Sequence, residues 1–181
     1  MKHLLKISVL LFITNLVSMH QLCGQETDEK ETTPVIIRNS NNYIAEILKD
    51  KDIQYLKGDV QLVHDSVFMY CDSAIVIKNQ LTAIGDVIII KPDSINIFSD
   101  SLYYDGDQKI AELFYEVVLE NADKQLFTEH LLYDMNTEVA TFKDTAILRK
   151  NTMRLSSIEG LYDMQQKMAF FYKDVTIVDE D

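Results

Sequence analysis

Histidine and cysteine, the side chains that most often hold metal ions or act as nucleophiles, are rare in this sequence. The chain of 181 residues has four His and two Cys, and after residue 25 only His64, His130 and Cys71 remain. His64 falls in a predicted turn and His130 on a predicted strand, and no Cys/His pair has the spacing of a metal site. The sequence contains no glycine-rich phosphate loop and no nucleophile elbow. We therefore expect no catalytic residue, no metal site and no cofactor, and we expect that the protein is not an enzyme.

Two other patterns allow a chemical interpretation beside a structural one. The carboxylates of Asp105-Gly106-Asp107 could ligate Ca²⁺, but a glycine between two polar residues is more typical of a hairpin turn. Tyr104, Tyr133 and Tyr162 recur every 29 residues and could form a platform for carbohydrate. An aromatic ladder on one face of a sheet is more often packing between strands, so packing is the favoured interpretation.

The composition limits the class of protein. Asp and Glu number 29 against 17 Lys and Arg, which gives a formal charge of −12, so binding to the phosphates of a nucleic acid is not expected. Five Gly and two Pro are too few for a disordered or collagen-like chain, and two Cys cannot make a disulfide scaffold. The length and the 47% share of hydrophobic residues fit one ordinary globular domain.

The N-terminus has the pattern of a secretory signal peptide. Two lysines precede 13 mostly apolar residues, Ile7 to Met19, a stretch too short for a membrane-spanning helix of roughly 20 residues. We expect cleavage after Gly24 to remove residues 1–24 and the mature chain to be exported and soluble. A flexible segment would follow over residues 25–34, and one domain over residues 35–181. An uncleaved membrane anchor and a lipoprotein modified at Cys23 are the alternatives.

Two sequence markers recur with the same period, which indicates an internal repeat of about 29 residues. An acidic residue followed by a β-branched one recurs at steps of 27, 30, 28 and 30 residues, and a Tyr-Asp pair recurs at two steps of 29 residues. The first marker stands at Asp59-Val60, Asp86-Val87, Glu116-Val117, Asp144-Thr145 and Asp174-Val175, and the second ends the segments Leu102-Tyr103-Tyr104-Asp105, Leu131-Leu132-Tyr133-Asp134 and Gly160-Leu161-Tyr162-Asp163.

Within each repeat, apolar and polar residues alternate, which is the period of β-strands rather than of helices. Polar turns such as His64-Asp65-Ser66 and Lys91-Pro92-Asp93-Ser94 separate the two arms of a repeat. The sequence therefore predicts about ten strands in hairpins, with residues 35–44 as half a repeat at the front. Residues 45–52 could form one helical turn or a loop.

The alternation also predicts which residues face the core. The apolar residues after each acid would point inward, for example Val60 in the first repeat and Thr145 and Ile147 in the fourth. Cys71 occupies a small-residue position that it shares with Ser99, Thr128 and Ser157, so we expect a packed and unreactive thiol.

The alternation changes phase in the middle of a strand. From Ile97 through Ser99 the core-facing series advances by two residues, and it then jumps by three to Leu102. A jump of three keeps the same face buried only if the strand carries an extra residue, which means a β-bulge or a bend. Stacked bent strands form a folded-over roll, so we expect an all-β fold, a bent antiparallel β-jelly roll of stacked hairpins. The acids at the jumps would point outward: Asp72, Asp100 and Glu129.

Four segments follow one another along the chain in a characteristic order and spacing. They are Leu56-Lys57-Gly58-Asp59-Val60, Tyr70-Cys71-Asp72-Ser73-Ala74, Ala83-Ile84-Gly85-Asp86-Val87 and Asp100-Ser101-Leu102-Tyr103-Tyr104-Asp105-Gly106. They resemble the OstA-like (organic solvent tolerance) N-terminal domain of the periplasmic lipopolysaccharide-transport bridge proteins, in its Bacteroidetes-type form. The resemblance runs from about Val35 to Val178, nearly the whole chain after the signal peptide.

The resemblance implies a fold and a function. Members of the family form a bent β-jelly roll, hold the acyl chains of lipopolysaccharide inside it, pass them from the inner to the outer membrane and stack end to end. Two features depart from the pattern. Ser156-Ser157-Ile158-Glu159 lacks the acid at the corner, and the chain stops at Asp179-Glu180-Asp181 directly after a strand, as a natural short form or as the N-terminal part of a longer outer-membrane-associated protein would.

From the resemblance we expect a non-enzymatic carrier or bridge component for lipopolysaccharide, periplasmic or associated with the outer membrane. Acyl chains would gain about 0.8 kcal/mol for each CH₂ group that they bury in the roll. The lipid phosphates would stay outside, near Lys78, Lys91, Arg149 or Lys150. The candidate lining side chains share the inner face: Val60, Leu62, Met69, Val87, Ile89, Ile97, Val117, Leu119 and Leu126.

Two alternatives stay open at this point. The nine candidate side chains could fill a closed core instead of lining a slot, as they do in most small sandwiches. The protein could instead be an interaction module that docks to other transport proteins by strand addition at its open edges. Such edges would also allow head-to-tail homo-oligomers.

Overall fold

The computed structural model describes residues 33–49 and 51–179, and every regular element in these ranges is a β-strand. The predicted signal peptide lies outside the described residues, and no helix in the described part is long and apolar enough to cross a membrane. One sheet contains all the strands. They are β1 (Ile36–Asn39), β2 (Asn42–Ile47), β3 (Asp52–His64), β4 (Val67–Ile77), β5 (Gln80–Lys91), β6 (Ile95–Asp105), β7 (Ile110–Asn121), β8 (Lys124–Asp134), β9 (Val139–Phe142), β10 (Ala146–Lys150), β11 (Met153–Ser157), β12 (Glu159–Asp163), β13 (Met168–Tyr172) and β14 (Thr176–Asp179).

The fourteen strands form ten hairpin arms, because four arms are split in two at their middle. β1 and β2 both pair with β3, and β9 and β10 both pair with β8. β11 with β12, and β13 with β14, are likewise the two parts of one arm. All neighbouring arms are antiparallel, so the prediction of about ten strands in stacked hairpins is confirmed.

Each arm bends near its middle, and the sheet therefore folds into two half-sheets that face each other. The first half-sheet contains β1, β10, β11 and β14, the second contains β2, β9, β12 and β13, and β3 to β8 run through both. The arms bend along a line that we name the corner. The hairpin turns of the two half-sheets meet along the opposite line, the seam. This is the predicted bent antiparallel roll.

A bulge in β3, β5 and β7 produces the corner. Between Lys57 and Val60 of β3 there are two residues, whereas the paired part of β4, between Cys71 and Ser73, has one. The same register shift separates β5 from β6 and β7 from β8. Two residues opposite one bend the strand and increase its twist. The apolar side chains before the corner and those after it therefore both point to the inner face of the roll.

Left-handed backbone conformations form the bulges. Gly85 and Asp86 of β5 have φ angles of 82° and 44°, and the corresponding residues of β7, Tyr115 and Glu116, have φ angles of 65° and 50°. Glycine adopts this region without a steric penalty, whereas a residue with a side chain pays about 1–2 kcal/mol. The bulge thus explains the Gly-Asp pairs of the repeat.

The acidic residues opposite the bulges point outward, as predicted. Asp72, Asp100 and Glu129 are all exposed. Glu129 accepts a hydrogen bond from the backbone N–H of Glu116 at 3.4 Å. The carboxylate of Asp72 lies so close to Gly85 that an added Cβ would come within 2.6 Å of its oxygen. Asp72 and Glu129 therefore pack over the bulges of neighbouring arms.

Of the two interpretations of residues 45–52, the helical turn is wrong, and the loop holds only between the end of β2 and the start of β3. This segment contains the end of β2 and the start of β3, and Ile47 pairs directly with Asp52 across a short connection. Ile44, Ile47 and Leu48 have the spacing of one helical face, but pairing with β3 determines the conformation of Ile44 and Ile47.

The inward-facing residues of the fourth repeat are also corrected. They are Ala146 and Leu148, whereas Thr145 is exposed and Ile147 only half-buried. The bulged arms β3, β5 and β7 each place three residues between the inner side chains on either side of the corner, and Phe142 and Ala146 keep this spacing. The acid of this repeat stands one position earlier in the corner than in the first repeat, so counting from the acid shifts the pattern by one.

Replacing Gly85 with Ala should destabilise the fold. The left-handed φ and the close approach of Asp72 both oppose a Cβ at this position, and we expect the free energy of unfolding to fall by about 1–3 kcal/mol in chemical denaturation. Tyr115→Ala is the matched control, because it removes an exposed side chain from the same bulge position of β7. Its effect should stay below about 0.5 kcal/mol. Equal losses in the two variants would contradict the role given to the glycine.

Candidate functional site

The nine side chains predicted to line the interior all lie on the inner face of the first half-sheet, and each is at most 1% exposed. Cross-strand pairing places six of them in one row and three beside the corner. The row contains Leu62, Met69, Ile89, Ile97, Leu119 and Leu126 in the order of the arms. Directly after the bulges stand Val60, Val87 and Val117. The sequence therefore located one continuous apolar surface, and its contact with lipid stays a prediction.

This inner row continues to both edges of the sheet. Ile37 of β1 begins it, and Leu148, Leu155 and Ile177 of the last three arms of the half-sheet extend it. Leu148 is buried, but Ile177 on the last strand is 65% exposed. The interior is thus filled in its middle and uncovered at the C-terminal edge.

The N-terminal edge is uncovered in the same way. Tyr43 of β2 pairs with the buried Leu56 and so points to the inner face, yet it is 55% exposed. At the opposite edge Phe171 of β13 points inward beside Gly160. Inner-face apolar side chains are exposed at both edges because no further arm packs over them.

The tyrosine ladder lies on the inner face of the second half-sheet. Tyr104, Tyr133 and Tyr162 are all buried, so the carbohydrate-platform interpretation is wrong and the packing interpretation is confirmed. Each tyrosine faces a small residue on the next arm, Ala111 or Ala140. Alternating large and small side chains lets the facing layers interdigitate without voids.

The small residues beside the corner have a structural role that the sequence did not reveal. The hydroxyls of Ser99, Thr128 and Ser157 each donate to the backbone carbonyl two residues ahead, at 3.1, 3.4 and 3.0 Å, and so bridge the bend. Cys71 takes this position in the first repeat. Burial, together with the charge of Asp72, raises the pKa of its thiol to about 12. The thiol is therefore protonated at neutral pH and unreactive, as predicted.

The carboxylates that could have ligated Ca²⁺ are used in turn contacts. Asp105 accepts hydrogen bonds from the backbone N–H and the side chain of Gln108 at 2.9 and 3.0 Å, and Asp107 accepts one from Asn79 at 2.9 Å. The Asp105-Gly106-Asp107 segment is the predicted turn. Within residues 33–49 and 51–179, no group of three or more His, Cys, Asp and Glu side chains could hold a metal ion.

The N-terminal end of the seam is closed by a clasp of hydrogen bonds. The Nε2–H of buried His64 donates to the backbone carbonyl of Thr33 at 2.9 Å, so its Nδ1 accepts from the hydroxyl of Tyr104 at 2.5 Å. Asn79 donates to the same carbonyl at 2.8 Å and accepts from the N–H of Val35 at 2.7 Å. Thr33, which the sequence places in a flexible segment, thus joins the two half-sheets.

Further contacts cross the seam beyond the clasp. Asn121, at the end of β7, accepts a hydrogen bond from the hydroxyl of Tyr162 at 2.7 Å. Between this contact and the clasp, Lys91 at the end of β5 forms an ion pair with Glu138. The two half-sheets are therefore joined along the whole seam, and the interior of this structure is a closed core rather than an open slot.

An apolar groove that the sequence analysis missed lies on the outer face of the second half-sheet. It has a volume of about 610 Å³, and its exposed apolar side chains are Ile44, Tyr55, Ile75 and Ile84 of β2 to β5. A signal for an apolar outer face was present in the uninterrupted apolar run of residues 74–77 in β4, which includes Ile75 and is typical of strands covered on both faces.

The family of the chain follows from comparison with known proteins. A family model described as OstA-like protein matches residues 32–181, which include every arm of the sheet. The chain belongs to the family of OstA-like proteins. The resemblance inferred from the Gly-Asp and Tyr-Asp segments is thereby confirmed.

Solved structures include a similar chain. The OstA-like chain matches LptH, the LptA-homologous periplasmic component of the conserved lipopolysaccharide transport device from Pseudomonas aeruginosa, at 11% sequence identity. The match covers 82% of this chain and 96% of that chain, with a TM-score of 0.38. A search of the curated proteins finds no match.

Asp65 should make the stability of the OstA-like domain depend on pH. A hydrogen-bonded ion pair with Lys109 at 2.7 Å and a hydrogen bond from the Thr33 hydroxyl at 2.5 Å lower the pKa of this carboxyl. Because its pKa is lower in the folded than in the unfolded chain, Asp65 stabilises the fold at neutral pH. That contribution is lost as the pH falls below about 4 and through the folded pKa.

Asp65→Asn should therefore lower the Tm at pH 7. The loss should shrink as the pH falls below about 4 and vanish only below the lowered folded pKa, where the aspartate is neutral as well. Asparagine tolerates the left-handed φ of 53° at this position. Thermal unfolding followed from acid to neutral pH measures the difference. Asp93→Asn is the matched control, because Asp93 lies in the next hairpin turn of the same half-sheet and has a φ of 59°. A Tm difference that is the same at every pH would contradict the prediction.

Proposed function

We propose that this OstA-like protein is a periplasmic, non-enzymatic carrier or bridge component that binds lipopolysaccharide during its transport to the outer membrane. The observation that carries the proposal is the inner apolar row, which runs from one edge of the sheet to the other in a chain of this family. Acyl chains that replace contacts within the closed core would each gain about 0.8 kcal/mol per buried CH₂ group. Residues 1–24 would export the protein.

The distribution of charge supports binding through acyl chains with the phosphates outside. The chain has a formal charge of −12, so an anionic glycolipid meets general repulsion. Lys78, Lys91 and Lys150 all lie at hairpin ends, and Lys91 and Lys150 already form ion pairs there. Arg149 lies over an aromatic ring at 4.8 Å. Phosphates held at hairpin ends would leave the acyl chains free to enter between the half-sheets.

Binding requires the two half-sheets to separate, because the inner row is buried in this structure. The two sides of the roll differ in what holds them. At the corner the backbone continues through the bend, whereas at the seam side-chain contacts join the half-sheets. Opening at the seam therefore leaves the strand pairing of the sheet intact.

Docking to other transport proteins through the edges is a second candidate function. Among the described strands, β1 and β2 form one edge and β13 and β14 the other. β14 runs from the corner to the seam and β1 from the seam to the corner, so β14 of one molecule and β1 of the next would be antiparallel. The same holds for β13 and β2. Stacked molecules would continue one antiparallel sheet and align their inner rows.

Shortening a lining side chain should weaken lipid binding. Val117→Ala removes contact from the inner face and should reduce affinity for a fluorescent lipid A analogue by up to about tenfold, with a loss of about 1–3 kcal/mol in stability. Val118→Ala makes the same change on the half-buried outer face and should leave the affinity unchanged. If Val117→Ala lowers only the Tm, these side chains fill a core that lipid does not enter.

A charge on the edge should block head-to-tail assembly. Light scattering over a wide concentration range should show oligomers of the wild type, and Ile177→Lys, on the edge strand β14, should abolish them because a buried charge opposes strand pairing. Ile84→Lys is the matched control, since Ile84 is 59% exposed and lies on an internal strand. A monomeric wild type, or equal effects of the two substitutions, would refute assembly through this edge.

A further inference from the structure

The middle tyrosine of the inner ladder differs from its two neighbours. The hydroxyl of Tyr104 is bonded to His64 and that of Tyr162 to Asn121. The hydroxyl of Tyr133, on a side chain that is 0% exposed, has no hydrogen-bond partner among the described residues. A buried hydroxyl without a partner costs free energy, so such a group in a native fold requires an explanation.

The repeat shows where the missing partner would stand. His64 and Asn121 are the last residues of β3 and β7, and the last residue of β5 is Lys91. Lys91 thus holds the position from which a side chain would reach Tyr133, but its ammonium group pairs with Glu138 across the seam. Burial, followed by the charges of Glu138 and a neighbouring aspartate, raises the pKa of Tyr133. An ion pair therefore lies beside an unsatisfied hydroxyl at the middle of the seam.

The middle is also the weakest part of the seam. The N-terminal end is held by the buried hydrogen bonds of the clasp. At the C-terminal end the Tyr162 hydroxyl is bonded to Asn121, and the Tyr162 ring lies 5.8 Å from the ammonium group of Lys124. At the middle, the contact is the Lys91–Glu138 ion pair, whose side chains are 22% and 23% exposed. Ion pairs that water reaches contribute little to stability.

We propose that the roll opens at the middle of the seam and that Tyr133 and Lys91 bind the polar part of an acylated, phosphorylated amphiphile. This inference rests on the proposed lipid carriage. With the acyl chains on the inner row, the Tyr133 hydroxyl donates to the carbonyl of an acyl ester or amide. Lys91 releases Glu138 and pairs with a phosphate. The hydroxyl thereby gains a partner, and one charge-assisted contact replaces another.

Tyrosine-to-phenylalanine substitutions test the state of the hydroxyl in the protein without lipid. Tyr133→Phe removes a group that has no partner, so the Tm should stay unchanged or rise. Tyr104→Phe and Tyr162→Phe are the matched controls, and each removes a bonded hydroxyl and should lower the Tm by about 2–4 °C. A loss in Tyr133→Phe as large as in the controls would reveal an internal partner, such as a buried water, and would overturn the proposal.

Binding of a fluorescent lipid A analogue tests the role of the ion pair. Lys91→Gln and Glu138→Gln break the same contact, so a purely structural role would change the affinity in the same direction. The proposal predicts opposite changes. Lys91→Gln weakens binding by about fivefold or more, and Glu138→Gln strengthens it because Lys91 is freed. Tyr133→Phe weakens binding by about fivefold, the effect of one lost hydrogen bond.

The outcomes separate this inference from the function on which it rests. If the wild type binds the analogue and all three variants bind it equally well, the middle of the seam is not the binding point and lipid carriage stands. If Lys91→Gln and Glu138→Gln change the affinity in the same direction, the ion pair is structural and the inference falls. A wild type that does not bind the analogue overturns both.

Discussion

In each of the first three repeats, one arm carries one residue more at the corner than the arm beside it, and the rest of the architecture depends on this mismatch. The extra residue forces a left-handed pair such as Gly85-Asp86, which bends the strand. Because the mismatch recurs at the same place in successive arms, the bends line up and the whole sheet folds once. Without it, alternating strands would form a flat sheet whose apolar face has nothing to pack against.

A single fold of one sheet gives the molecule two unlike sides. At the corner the halves are joined by continuous backbone, whose acids and small hydroxyl residues pack on or bridge the bend. At the seam the halves meet through side chains that differ from one repeat to the next: an imidazole at His64, an ammonium at Lys91 and an amide at Asn121. Within this chain the bulge that bends the sheet is therefore the same in successive repeats, whereas the side-chain contacts that close the seam differ.

The sequence predicted what depends on near neighbours along the chain. Alternation fixed the inner rows, and jumps of three located the bends, because each reflects the pleat of one strand. Prediction from the sequence failed where pairing with another strand decides the conformation. Ile47 is part of a strand because it pairs with β3, and the predicted inward-facing residues of the fourth repeat were one position too early. The seam contacts were also out of reach, since His64 and Tyr104 are 40 residues apart and meet only after the sheet has folded.

The evenness of the inner row has a consequence for movement. From Leu62 to Leu126 every arm contributes a Leu, Ile or Met, at the interstrand spacing of about 4.8 Å. A flexible hydrocarbon guest would find nearly the same surroundings at each step, so no single position would trap it. Such a surface favours sliding along one dimension over tight residence. A sheet extended by further copies would lengthen that track without adding a barrier at the junctions.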